Sequence, residues 1–221
     1  MTDRSDPERR LPDEATIRAL FTRSDGAFRF ARWGRDLAPA IFGATETEAR
    51  AFREAMAAVA GLGGLRVAER DPELGANALV FVVDSWPALL EIPHTEKLIP
   101  DLRRLIGVLG ATGANQYRIF GFDPAGAIRI VTTLVARDDE VRRLSPGTVA
   151  LSQAVQGLLL WSDRAFLARS PIAESAGRSL VTPDIADIIR GAYAADVPAA
   201  SEDPATAGRI EAALTALGER P

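Results

Sequence analysis

Apolar residues recur along the chain with two different periods, and the switches between them outline its elements. Beyond Pro12, which suits the first turn of a helix, Ile17, Leu20 and Phe21 share one face of a short helix. Residues 37–42 predict a first strand, ended by Gly43. Thr45 and Glu48 then form a capping-box pattern, and behind it Phe52, Ala55, Met56 and Val59 recur at i, i+3, i+4 and i+7. That is an amphipathic helix, expected to close at Gly61. Residues 65–69 read as a short strand. The run from Ala78 to Val83, opened by Asn77, is apolar at every position, as suits a central strand covered on both faces.

Ser85 and Pro87 predict a short helical turn, and Pro93 and Pro100 break the next stretch. Leu102, Leu105, Ile106 and Leu109 mark a helix expected to end at Gly110. Residues 116–122 and 127–135 predict two strands. Between them Asp123, Pro124, Ala125 and Gly126 place proline and glycine where a type I turn takes them, so the strands form a hairpin. Ser145 followed by Pro146 starts another helix, expected to run to about Trp161. Residues 164–181 read as an irregular loop. Thr182, Pro183 and Asp184 begin a helix that buries Ile185, Ile188, Ile189 and Tyr193. Residues 195–204 read as a linker, and a terminal helix with Ile210, Leu214 and Leu217 comes last, stopped by Gly218.

This order predicts an α+β fold: a mixed twisted sheet of about five strands with packed helices, plus a helical C-terminal part. Residues 1–12 are polar and predict a disordered lead. Residues 13–198 form a single domain, and residues 199–221 a linker and C-terminal helix. A chain of 221 residues buries enough surface to fold without a disulfide or a metal.

Composition narrows the chemistry. The net charge is −4 and the arginines are scattered, which argues against nucleic-acid binding. No stretch approaches the apolar length of a membrane helix. The chain as written starts without a signal sequence and predicts a cytoplasmic protein; removal of a leader would make it periplasmic or envelope-bound. There is no cysteine and one histidine, His94, in a segment read as an exposed loop. Thiol chemistry and a Ser-His-Asp elbow are therefore not expected, and no cofactor or metal is expected either. The glycine turns at residues 61–64 and 110–113 lack the spacing of a phosphate loop. Trp33, Trp86 and Trp161 are read as core or rim packing. The carboxylates Asp163, Glu174, Asp184 and Asp187 lie near one another in sequence, chiefly as solvated or capping groups.

The segment from Ser152 to Asp163 carries a resemblance. It reads Ser-Gln-Ala-Val-Gln-Gly-Leu-Leu-Leu-Trp-Ser-Asp, and Ser170, Ile172, Glu174, Leu180, Thr182, Asp184 and Tyr193 come after it as ordered landmarks. Arg32-Trp33, the helix end near Gly61 and Asn77 are earlier ones. Across roughly residues 28–198 the chain resembles the bacterial domain of unknown function 2927, a family related in plan to metzincin-type metallopeptidases. The resemblance implies a metallopeptidase-like fold in which Ser152–Asp163 lies where the metal-binding helix would be. That helix needs two histidines on one face and a glutamate to activate water. Here Ser152 and Gln153 replace the family's glutamate pair, Leu159 replaces its glycine and Ser162 its asparagine, while Gln156, Leu160 and Asp163 persist.

The expectation is therefore a non-catalytic, metallopeptidase-like domain that binds a protein or peptide partner, with extended segments adding to a sheet edge. The candidate cleft comprises Gln153, Gln156, Trp161, Asp163 and Glu174. Two alternatives stay open: a hydrolase with an unrecognised site around Gln153, Gln156, Asp163 and Glu174, and a structural subunit that buries an apolar patch around Trp161.

Overall fold

A computed structural model of the protein describes residues 11–218. The expected lead lies outside the described residues, apart from Leu11 and Pro12. Helix α1 (Glu14–Phe21) is capped by Asp13, whose carboxylate accepts the Thr16 N–H at 2.9 Å, and it buries Ile17 and Phe21. A short strand β1 (Phe30–Ala31) comes next, then β2 (Pro39–Phe42). The capping box forms as expected: Thr45 and Glu48 satisfy each other's backbone N–H and start α2 (Glu46–Leu62). This helix runs through Gly61 and stops at Gly63. A Cβ at Gly63 would meet the Tyr193 ring at 2.6 Å, so the packing there requires glycine.

Strand β3 (Ala78–Val83) is buried along its whole length. A 3-10 turn (Trp86–Glu91), the short α3 (Thr95–Leu98) and α4 (Leu102–Thr112) succeed it. Helix α4 passes Gly110 and ends at Gly113, which takes the left-handed conformation. Strands β4 (Gln116–Phe122) and β5 (Ile128–Ala136) form the expected hairpin, closed by Gly126 N–H donating to Asp123 O at 3.0 Å. Then come α5 (Asp139–Arg143) and α6 (Pro146–Leu158). A small hairpin, β6 (Ile172–Ser175) and β7 (Arg178–Val181), precedes α7 (Pro183–Ala192), β8 (Ala200–Ser201) and α8 (Thr206–Gly218).

The main sheet has four strands in the order β2-β3-β5-β4, with β4 antiparallel at one edge and the others parallel. The class is α+β. The segment at residues 65–69 contributes a single parallel bridge, Val67 to Leu37, in place of a fifth strand. Helices α2 and α6 pack over one face of the sheet, joined below by α1, α7 and α8. The 3-10 turn and α4 cover the other face. Trp33 and Trp161 belong to the first core and Trp86 to the second. No described helix is long and apolar enough to cross a membrane.

Two segments are more ordered than expected. Residues 164–181 contain the β6–β7 hairpin, whose two-residue loop places both Ala176 and Gly177 at positive φ (49° and 73°), as a type I′ turn requires. Residues 195–204 contain β8, which pairs antiparallel with β1, and Val197, which is fully enclosed. Arg32 N–H donates to Ala199 O at 2.8 Å, so this stretch is stitched to the N-terminal segment.

The last turn of α6 is held from outside. A helix leaves its last four carbonyls without internal partners. Here Trp161 Nε1–H donates to Val155 O (2.9 Å), Trp33 Nε1–H to Gly157 O (2.9 Å) and the Tyr193 hydroxyl to Leu158 O (3.2 Å). The Tyr193 oxygen also accepts the Trp33 N–H at 3.2 Å, and burial pushes its hydroxyl well above the usual phenol range. Tyr193→Phe strands both backbone groups. It is expected to lower the free energy of unfolding by about 1–3 kcal/mol in urea titrations; a cost near zero would show that other donors reach Leu158 O.

At the opposite end of the sheet, Arg137 clamps Glu48 with two bonds of 2.8 Å and donates a third to Gly43 O. The Arg137 guanidinium, with help from Thr45, holds the Glu48 carboxyl down at about 2. A depressed carboxylate stabilises the fold fully above its unfolded value near 4.5, and that contribution is lost as pH falls toward 2. The pair is therefore expected to contribute up to about 3 kcal/mol at neutral pH. Glu48→Gln should flatten the pH dependence of stability between about pH 4.5 and 2, as monitored by thermal melts; an unchanged slope would deny the linkage.

Candidate functional site

Ser145 and Pro146 fix where α6 begins, because the serine hydroxyl accepts the Thr148 N–H at 3.1 Å and proline occupies the first turn. From that start Ala150, Ala154, Val155 and Leu158 turn into the core. Gln153 and Gln156, three residues apart, share the face that looks toward β4. Gln153 is buried at 5% exposure and Gln156 is partly exposed.

Strand β4 presents Gln116, Arg118 and Phe120 to that face, and Tyr117 and Ile119 to the other. Arg118 is the centre of the site. Its Nη1 donates to Gln153 Oε1 at 2.6 Å and, more weakly, to Gln116 Oε1 at 3.3 Å. Its Nη2 donates to Gln156 Oε1 at 2.7 Å. Guanidinium has only donors, so both helix amides must turn their oxygens toward it. Their nitrogens are then free to donate elsewhere: Gln153 Nε2 to Gln116 Oε1 (2.6 Å) and Gln156 Nε2 to Ser152 Oγ (3.0 Å).

The electrostatics are unusual. Arg118 pairs with no carboxylate among the described residues. Burial alone pushes its guanidinium down to about 10, which still leaves it charged at neutral pH. Three neutral amide oxygens solvate the cation without neutralising it. Arg137, at the far end of the sheet, shows the ordinary arrangement, with its charge cancelled by Glu48. The cavity of about 350 Å³ beside Arg137 is lined by Phe52, Val82, Val135 and Val149, and its arginine is already satisfied.

The five residues expected to form one cleft are distributed over four places. Gln153 and Gln156 meet at Arg118. Trp161 is buried, stacked on Phe21 at 5.2 Å with Phe166 against its edge, so it belongs to the core beneath α1. Asp163 accepts the Ser24 N–H (3.0 Å) and hydroxyl (2.5 Å), which hold its carboxyl below the usual range. Glu174 sits exposed on β6, beside a shallow depression shared with Glu54 and Thr148. The geometry brings no acid and base together at Gln153. Among the described residues no three His, Cys, Asp or Glu side chains converge as a metal-binding group. His94 is exposed at the start of α3.

Arg118 itself is missing from the residues expected at the site. The available signal was the period of two in β4, which puts a charge on a core-facing row between Gln116 and Phe120. No family model, curated protein or solved structure matches the chain.

Removing one amide leaves part of a half-buried cation without its hydrogen-bond partner. Gln153→Ala is expected to cost about 2 kcal/mol of stability, and Gln156→Ala, at a wetter position, about 1 kcal/mol. Urea denaturation of both variants checks the ranking; a Gln153 cost below that of Gln156 would reject the clamp.

Proposed function

We propose that the protein is a non-catalytic, metallopeptidase-like domain that binds an extended segment of a protein or peptide partner along β4. The observation that carries this reading is the free edge of that strand. Ala136 N–H donates to Asn115 O at 2.8 Å, and this sets the phase of the β4–β5 ladder. Asn115, Tyr117 and Ile119 bond to β5, so Gln116, Arg118 and Phe120 turn their N–H and C=O groups away from the sheet. Among the described residues no further strand lies beyond β4 in the sheet order. A row of outward donors and acceptors is what an added strand uses, with pockets for alternate side chains supplying selectivity.

The metallopeptidase-like plan is supported by a mixed sheet whose antiparallel edge strand runs beside the helix at Ser152–Leu158, the helix that the resemblance singles out. The non-catalytic character is supported by the chemistry of that helix. Gln153 accepts no proton at neutral pH, and the pair Ser152 and Gln156 bond to each other. A hydrolase reading needs Asp163 or Glu174 near the two glutamines, and both lie elsewhere. A purely structural reading needs an exposed patch at Trp161, which the protein covers with its own Phe21 and Phe166.

Six-residue peptides selected from a displayed random library are expected to slow amide exchange at Gln116, Arg118 and Phe120 by at least about tenfold. Selected peptides that protect another surface and leave β4 unchanged would overturn the edge reading. Fluorogenic peptide substrates are expected to show no turnover with or without added zinc; turnover by the wild type that Gln153→Ala abolishes would overturn the non-catalytic reading.

A further inference from the structure

Strand β4 is the edge of the sheet and, close beside that edge, carries a cation with no carboxylate partner among the described residues. The two features belong to the same residue. Arg118 turns its backbone N–H and C=O outward, while its side chain lies on the α6 face among Gln116, Gln153 and Gln156. In an antiparallel addition, the incoming residue opposite Arg118 exchanges both backbone hydrogen bonds with it. The side chain of that incoming residue then points to the same face, within reach of the guanidinium.

We propose that Arg118 is the specificity-determining residue of this edge, and that it selects an extended partner segment carrying an aspartate or glutamate at the position opposite it. This rests on the strand-addition reading of β4. Charge complementarity supports the choice of partner. The three amide oxygens hold Arg118 in place through Nη1 and Nη2 but leave its charge uncancelled, and only two of its five N–H donors need to remain for a carboxylate to engage. Burial already disfavours the cation, so an arriving anion relieves a penalty that is present in the free protein. The neighbouring positions supply no competing acid: Ser152 and Gln156 are neutral, and Thr133, the β5 partner of Arg118, is neutral and buried. A second copy of the chain is a poor occupant, because symmetric pairing about Arg118 sets one arginine opposite the other.

The test uses two blocked, fluorescently labelled eight-residue peptides of alternating threonine and valine. One carries a single central glutamate and the other a glutamine at the same place. With the full chain, anisotropy titrations are expected to show the glutamate peptide binding at least about tenfold more tightly, a preference that weakens with salt. In Arg118→Met the two peptides become indistinguishable. Gln153→Glu gives a second, independent variant: it places a carboxylate against Nη1, neutralises Arg118 from within and likewise removes the preference. Equal binding of both peptides to the wild type, with β4 amides protected from exchange, would overturn the role of Arg118 and leave the edge reading intact. Binding of neither peptide, with no protection of β4, would remove the edge reading and this inference with it. A concentration-dependent dimer in sedimentation that excludes both peptides would assign the edge to self-association and overturn the proposal.

Discussion

The arrangement of the molecule depends on how α6 ends. The helix has no glycine to turn its chain at the C-terminus; Leu159 leaves it in an extended conformation and bridges to Arg32. The stranded carbonyls of the last turn are met by two indole N–H groups and a phenol from residues 33, 161 and 193, which lie far apart in the chain. The two indoles are buried and the phenol is partly buried beside them, so the bonds form where water competes poorly. One short piece of backbone thereby ties together the N-terminal segment, the chain leaving α6 and the end of α7. It also fixes the rotation of α6 about its axis, and that rotation aims Gln153 and Gln156 at β4 instead of at solvent.

The two half-buried arginines of the sheet show how differently one residue type can be used. Arg137 meets Glu48 in a forked pair that joins α2 to the end of β5, and its charge is spent on architecture. Arg118 meets only dipoles. Dipoles lower the cost of burying a cation without supplying the opposite charge, so the site remains electrostatically incomplete in the isolated chain. Helix α6 turns two amide oxygens toward an organic cation provided by the neighbouring strand.

Local signals in the sequence located most elements, because their causes are local. The capping box at Thr45 and Glu48, the Ser145-Pro146 start and the Asp123–Gly126 turn each depend on a few adjacent residues. The all-apolar run of β3 foretold its central place. Errors cluster where distant packing decides. Gly61 and Gly110 look like helix ends but lie inside helices, since apolar faces continue past them and the stops fall at Gly63 and Gly113. The β6–β7 hairpin escaped notice because Ala176 occupies a left-handed position that usually takes asparagine or glycine. Strand β8 is two residues long and exists only through its pairing with β1. The candidate site was half legible. The helix pattern marked Gln153 and Gln156; Trp161, Asp163 and Glu174 lie near them in sequence but apart from them in the fold, and the bond across 35 residues from Arg118 to Gln153 has no local trace.

Strand β4 also bears on the life of the chain before and after folding. Its sequence from Tyr117 to Phe122 is rich in aromatic and β-branched residues, and Tyr117 and Phe122 remain exposed in the folded state. Such a segment on an open edge is a template for amyloid-like stacking of identical strands. The positive charge of Arg118 within it makes every in-register stack place like charges a strand spacing apart. Arg118 thus occupies the kind of position where a gatekeeper charge opposes stacking, and it is the same guanidinium that leaves the edge electrostatically unfinished.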